Sequence, residues 1–241
     1  MILLLAGTSE ARALALALAS EGIAAEASLA GVTRAARPLA VPVRTGGFGG
    51  ADGFAEWLRR RGARGVVDAT HPFAARMGPR SAAVCAASGV PYLRLLRPQW
   101  VPGPGDDWRK VAGPGEVARI VPEGAAVFLA LGAQRLGDWA CLAGRRVVAR
   151  QVDPPAGAAP FAGLERIAAA PGASVAAEVD FLESQAIEWV VARNSGGPTR
   201  AKLEAARMLG LPVLMIPRPV PPVGVEAVPD VSGAMDWVRR L

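Results

Sequence analysis

The sequence predicts an α/β protein of two domains, each a mainly parallel sheet flanked by helices, and three observations lead there. Short apolar, β-branched runs alternate with Ala- and Leu-rich stretches of helical length along most of the 241 residues, the rhythm of βαβ units that bury a parallel sheet between helices. A stretch rich in Pro and Gly, "RPQWVPGPGDD" from Arg97 to Asp107, interrupts that rhythm near residue 100, where a linker belongs. The loops after the strands carry glycine and polar residues, at the carboxyl strand ends where parallel sheets bind ligands.

In the first half, "ILLLA" (2–6), "AAEASLAG" (24–31), "VPVRT" (41–45), "GVVDAT" (65–70) and "PYLRLL" (91–96) read as strands, with helices at 9–22, 52–62 and 72–88. In the second, "AVFLALG" (126–132), "RRVVARQV" (145–152), "EWVVARN" (188–194) and "PVLMIPR" (212–218) read as strands, with helices at 114–121, 133–141, 174–187 and 198–209. The segment 218–230 is punctuated by proline and reads as extended, and "VSGAMDWVRRL" reads as a short terminal helix. The expected division is a Rossmann-like domain over 1–98 and a second over 99–241.

Composition narrows the function. No run approaches the roughly 18 apolar residues of a transmembrane helix, and "MILLLAGTSE" passes straight into a glycine turn without a basic leader, so a cytoplasmic protein with no membrane partner is expected. Cys85 and Cys141 stand alone and His71 is the only histidine; a disulfide framework, an iron–sulfur cluster and a metal site are not expected, and redox chemistry would need an organic cofactor. The net charge of +6 comes almost wholly from arginine, since Lys110 and Lys202 are the only lysines. Those arginines are scattered and not interleaved with aromatic residues, which speaks against nucleic acid and leaves a polyanionic small molecule or a compositional bias.

The first strand is followed by "AGTSEAR", where Gly7 permits a turn and Thr8 or Ser9 can cap a helix whose N–H groups could hold phosphate. The full G-x-G-x-x-G fingerprint is absent. Arg12 lies in that helix's first turn, where the dipole disfavours a cation unless an anion or a neighbouring glutamate offsets it. After the second strand an NAD-binding domain offers an acid to the ribose; here Thr33, Arg34 and Arg37 stand instead, which favours a 2′-phosphate and hence NADPH. "TGGFGG" (45–50) would let a backbone approach a ligand, or simply be flexible. In "DATHPFA", Thr70 or His71 can cap and Pro72 suits a first helical position.

The second half repeats this pattern with Gly132, Gln134 and Arg135 past one strand, then Arg193, Asn194, Ser195, Gly196 and Gly197 before a helix carrying Lys202. Polar donors and cations at both domain edges suit an anion gripped in a cleft between them. Other schemes fit poorly: the sole tyrosine, Tyr92, has Leu96 where a short-chain dehydrogenase needs Lys, and no G-x-S-x-G is present.

Taken together, "LLLAGTSEARALA", "TGGFGG", "VVDATHPFA", "LALGAQRL" and "VVARNSGG" followed by Lys202 resemble the precorrin-6A reductases of cobalamin biosynthesis, in order and over most of the chain. The resemblance implies two Rossmann-like domains and NADPH-dependent reduction of one double bond of a polycarboxylate tetrapyrrole, giving precorrin-6B. It implies cofactor contacts at Gly7, Thr8, Ser9, Glu10 and Arg12, a 2′-phosphate near Thr33 and Arg34, and a nicotinamide end near Thr45, Gly46, Gly47, Phe48, Thr70, His71 and Pro72. It implies substrate contacts at Arg12, Gln134, Arg135, Arg193, Asn194, Ser195, Gly196, Gly197 and Lys202. His71 is the candidate proton donor, with ligand contact and a structural cap as its other readings. The cobalt-containing substrate of the anaerobic pathway and a non-catalytic nucleotide- or anion-binding module are the alternatives.

Overall fold

The computed structural model describes residues 1–30, 38–132, 135–152, 155–170, 172, 174–221 and 223–241. The chain forms two compact units, Met1–Pro98 with Pro219–Leu241, and Gln99–Arg218. Among the described residues no helix is long and apolar enough to cross a membrane.

The first unit begins with β1 (Ile2–Leu5), α1 (Ser9–Ser20), β2 (Ala25–Leu29), β3 (Val43–Thr45), α2 (Gly50–Arg61), β4 (Gly65–Asp68), α3 (Met77–Ala87) and β5 (Tyr92–Leu95). Every residue of β1 and β4 is buried, which is why β1 reads as an unbroken apolar run and β4 as one up to Asp68, rather than alternating. Along β1, Ile2 and Leu4 pack with Leu14 and Leu18 of α1, while Leu3 and Leu5 pack with Phe54 and Leu58 of α2. That division follows the period of two by which successive side chains leave a strand on opposite faces.

The second unit contains β6 (Trp108–Lys110), α4 (Pro114–Ile120), β7 (Ala126–Ala130), a 3₁₀ helix (Leu136–Leu142), β8 (Arg146–Gln151), β9 (Leu164–Ala168), α5 (Val175–Ser184), β10 (Trp189–Arg193), α6 (Ala201–Met208) and β11 (Val213–Ile216). The chain then returns to the first unit with β12 (Glu226–Val228) and α7 (Val231–Arg239). β12 pairs with β5 from Glu226↔Leu93 to Val228↔Leu95, and α7 buries Met235 and Trp237 against the α1 face of the first sheet.

Each unit is a six-stranded sheet, ordered β3-β2-β1-β4-β5-β12 in the first and β9-β8-β7-β10-β11-β6 in the second. All the paired strands run parallel. Strand order reverses between β1 and β4, and again between β7 and β10. Crevices that bind ligands open at such points, beyond the carboxyl ends of the strands.

Four expectations need correction. The terminal segment 219–241, expected in the second domain, completes the first sheet and its helical cover. Three short edge strands, β6, β9 and β12, were not anticipated; with three to five residues each and one paired neighbour, they carry little patterning. The helix expected at 133–141 is a 3₁₀ helix over Leu136–Leu142. The helix expected from 72 begins only at Met77, because the chain after Asp68 first makes a turn in which Ala74 N–H donates to the His71 carbonyl at 2.8 Å.

Candidate functional site

At the β1/β4 reversal, Thr8 caps α1: its Oγ1 accepts from Ala11 N–H at 3.2 Å and donates to the Ala69 carbonyl at 2.9 Å. One side chain thus starts the helix and ties the loop after β1 to the loop after β4. A Cβ on Gly7 would lie 3.7 Å from the His71 nitrogen and 3.8 Å from the Thr70 Cα, so the two loops lie against each other there. Ser9 Oγ donates to Glu10 at 3.1 Å, and Arg97 donates to the same carboxylate at 2.8 Å. Burial works to raise the Glu10 pKa, but its own backbone N–H and the Arg97 guanidinium prevail and hold it below the ordinary value. Arg12 donates to the Pro38 carbonyl at 2.8 Å.

Beneath the Thr70–His71 segment lies a buried polar cluster. Asp68 is 0% exposed. It accepts from Thr70 N–H at 2.9 Å and from the Tyr92 hydroxyl at 2.6 Å, and pairs with the Arg94 guanidinium. Arg94 also donates to Thr70 Oγ1 at 2.9 Å, to the Thr70 carbonyl at 3.1 Å and to the His71 carbonyl at 3.4 Å. Burial and the Asp68 charge push the Cys85 thiol up to about 12 and drive the Tyr92 hydroxyl far above its ordinary range. His71 is exposed on this platform, and its Nδ1 accepts from Phe73 N–H at 3.2 Å. A ring used that way presents Nε2 as an N–H donor. The helix cap expected of Thr70 or His71, with Pro72 at the first helical position, is therefore a turn cap set five residues ahead of α3.

The "TGGFGG" loop leaves β3 at the sheet edge, with β2 and β1 between it and β4. At about 4.8 Å per strand, those loops stand roughly 14 Å apart. The strand order thus sets the Thr45–Phe48 loop and His71 three strand positions apart. Phe48 packs on Phe54 and Trp57 with ring centroids 4.6 and 5.4 Å away. Gly53 is obligatory here, since a Cβ would come within 1.9 Å of the Phe48 carbonyl oxygen. Thr33 and Arg34, expected at a 2′-phosphate, lie outside the described residues.

In the second unit, Gly132 and Arg135 follow β7, while Arg193 to Gly197 end and follow β10, its paired neighbour. Gly132 and Arg135 both adopt positive φ, and Arg135 pairs with Asp138 at 2.6 Å. Burial first, then the Arg135 charge, lower the Arg193 pKa. Asn194 accepts from Trp100 N–H and donates to the Trp100 carbonyl, both at 2.9 Å; the Trp100 indole donates to the Gly197 carbonyl at 2.8 Å. Ser195 is buried, and Gly196 and Gly197 turn the chain with φ of 64° and 82°. Lys202, in the first turn of α6, donates to the Thr199 carbonyl at 2.7 Å and sits 4.9 Å from the Trp100 ring centroid. Gln134 lies outside the described residues.

Comparison with known proteins places this arrangement. The family model described as "Precorrin-6x reductase CbiJ/CobK" matches residues 1–239. The chain belongs to that family. The precorrin-6A reductase of Rhodococcus erythropolis is 45% identical, covering 100% of this chain and 98% of its own length. That of Rhodobacter capsulatus is 40% identical, covering 98% and 95%. The cobalt-precorrin-6A reductase of Priestia megaterium is 30% identical, covering 91% of each. A solved structure titled "CobK precorrin-6A reductase" superposes with a TM-score of 0.93 at 39% identity, over 99% of this chain and 96% of that one.

Members of the precorrin-6x reductase family are oxidoreductases of cobalamin biosynthesis, and the first unit fits the nicotinamide dinucleotide such a reduction needs. The β1/β4 reversal holds the capped start of α1 beside the Thr70–His71 segment. One feature resists: Glu10 already sets a carboxylate on the α1 start, so a phosphate there must displace it or share Arg97. Sequence reasoning missed Asp68, Tyr92, Arg94 and Trp100 because each is tied to partners 23 to 97 positions away. A buried acid ending an otherwise apolar strand was the available signal.

Proposed function

We propose that this chain reduces one carbon–carbon double bond of precorrin-6A, giving precorrin-6B, with NADPH as the electron donor. The observation that carries this reading is the β1/β4 crevice, where Gly7, Thr8 and the Thr70–His71 backbone converge, in a chain matched along its whole length by precorrin-6A reductases. The identities of 45% and 30% favour the metal-free macrocycle over its cobalt-containing counterpart.

When bound, the reduced nicotinamide supplies a hydride, and a proton completes the saturation. Gly7 to Arg12 serve the phosphates, Thr45 to Phe48 the adenosine end, and Thr70 to Pro72 the nicotinamide end. Arg94 and Asp68 hold the Thr70–His71 backbone from below, so the segment that would meet the nicotinamide end is fixed before binding. In the second unit Arg135, Arg193 and Lys202 face the macrocycle's carboxylates, with Asn194 to Gly197 shaping the loop. The electrostatics support this: burial and then the Arg135 charge work against the Arg193 cation, Asp138 offsets only part of that, and an anion beside Arg193 would favour it.

The decisive experiment supplies purified protein with precorrin-6A and NADPH and follows NADPH oxidation together with the product's mass. Binding of NADPH without its consumption would defeat the proposal. His71→Ala is expected to weaken NADPH binding about tenfold, the scale of one hydrogen bond, while single-turnover reduction at saturating NADPH falls less. A collapse of that rate with unchanged binding would make His71 the proton donor instead.

A further inference from the structure

Arg44 is the middle residue of the first sheet's edge strand, β3, and its register sets it beside Ser28 near the end of β2. Its Nη1 donates to Ser28 Oγ at 2.8 Å and to the Gly46 carbonyl at 3.0 Å, and its Nη2 donates to the Gly47 carbonyl at 2.9 Å. The guanidinium carbon lies 3.9 Å from the centroid of the Phe48 ring, and Phe48 is itself wedged against Phe54 and Trp57. The cation is thus fixed in place by oxygens that are all neutral.

Its neighbours along the carboxyl edge are balanced: Arg94 by Asp68 and Arg97 by Glu10. Arg44 has no carboxylate among the described residues. Two of its five N–H donors, one on Nε and one on Nη2, are unused there. The Nε/Nη2 edge is the one by which Arg109 and Arg146 grip their carboxylates in this protein. Beside it, added side chains at Gly46 and Gly47 would meet nothing within 4 Å. The site is open, positively charged and rigid, and it lies where a dinucleotide-binding sheet meets the adenosine ribose.

We infer that Arg44 reads the 2′-phosphate of the cofactor and sets the preference for NADPH over NADH. The inference rests on the proposed NADPH reading and goes past it, since that reading is indifferent to which residue discriminates. A bidentate guanidinium–phosphate contact suits a group held at its stem by the loop and stacked on a ring.

The test measures binding of 2′,5′-ADP and 5′-AMP to the full chain, with kcat/KM for NADPH and NADH. Arg44→Gln should weaken 2′,5′-ADP by roughly tenfold to a hundredfold, as loss of a charge-assisted pair does, and change 5′-AMP by less than about threefold. Gly47→Asp covers the case in which Arg44→Gln fails to fold. It leaves Arg44 in place, adds a carboxylate in open space at an unstrained backbone position, and should move preference toward NADH. Equal losses for both nucleotides would reduce Arg44 to a brace for the glycine loop, and unchanged discrimination in both variants would overturn the inference. If the unaltered protein shows no preference for the 2′-phosphate, the NADPH reading falls with it.

Discussion

In the first unit the loop after β4 hangs on a buried ion pair, Asp68 with Arg94; in the second the loop after β10 hangs on an amide and an indole, Asn194 with Trp100. The sheets beneath share one strand pattern, so the difference lies in the anchors. A buried pair fixes a backbone through many bonds but is costly to break, because either partner alone is a desolvated charge. The neutral anchor fixes its loop without adding a carboxylate of its own beside Arg193 and Lys202. The chemistry of each anchor matches what its loop is proposed to hold: a cofactor end requiring a fixed backbone, or carboxylates requiring positive charge.

The sharpest way to break this comparison is Asp68→Asn. It leaves Arg94 without its counter-charge in a site 0% exposed at Asp68, and a loss of about 3–5 kcal/mol is expected. Thermal unfolding would show it as a Tm lowered by roughly 10 °C; a shift of only a degree or two would mean the pair anchors little. Asn194→Ala should cost less, about 1–3 kcal/mol, because it strands one N–H and one carbonyl of Trp100 rather than a charge. A larger loss there than at Asp68 would invert the comparison.

The smallest effect is a pH dependence confined to the first unit. Cys85 and Tyr92 both have folded pKa values raised by burial and by Asp68, Cys85 to about 12. Their contribution to stability is full below their unfolded values, near 8.5 and 10, and is lost as the pH rises toward the folded ones. Tm should therefore decline above about pH 9, and Tyr92→Phe should flatten part of that decline. A slope identical in the variant would show that Tyr92 does not contribute.

The central strands and most helices were legible from local pattern: "ILLLA", "GVVDAT", "AVFLALG" and "EWVVARN" all became strands of the interior. The loops of interest were legible too, since glycine and polar residues stand out after apolar runs. What was not legible was long-range. The delayed start of α3 depends on contacts from Arg94 to Thr70 and His71, and no local signal at 70–77 announces them. The destination of 219–241 depends on an edge left open by β5, which a proline-punctuated segment does not advertise.

By itself the sequence determined the class of fold, the residues standing at strand ends and the family, because period, turn chemistry and motif order are properties of short stretches. Only the tertiary structure decided which of those ends are neighbours. Strand order set "TGGFGG" away from His71 and beside the end of β2, turned Asp68 and Arg94 from two scattered charges into one anchor, and showed Arg44 held only by neutral oxygens. The physical reason is that adjacency in a sheet is set by which faces and edges bury best together, a balance over the whole chain that no single segment encodes.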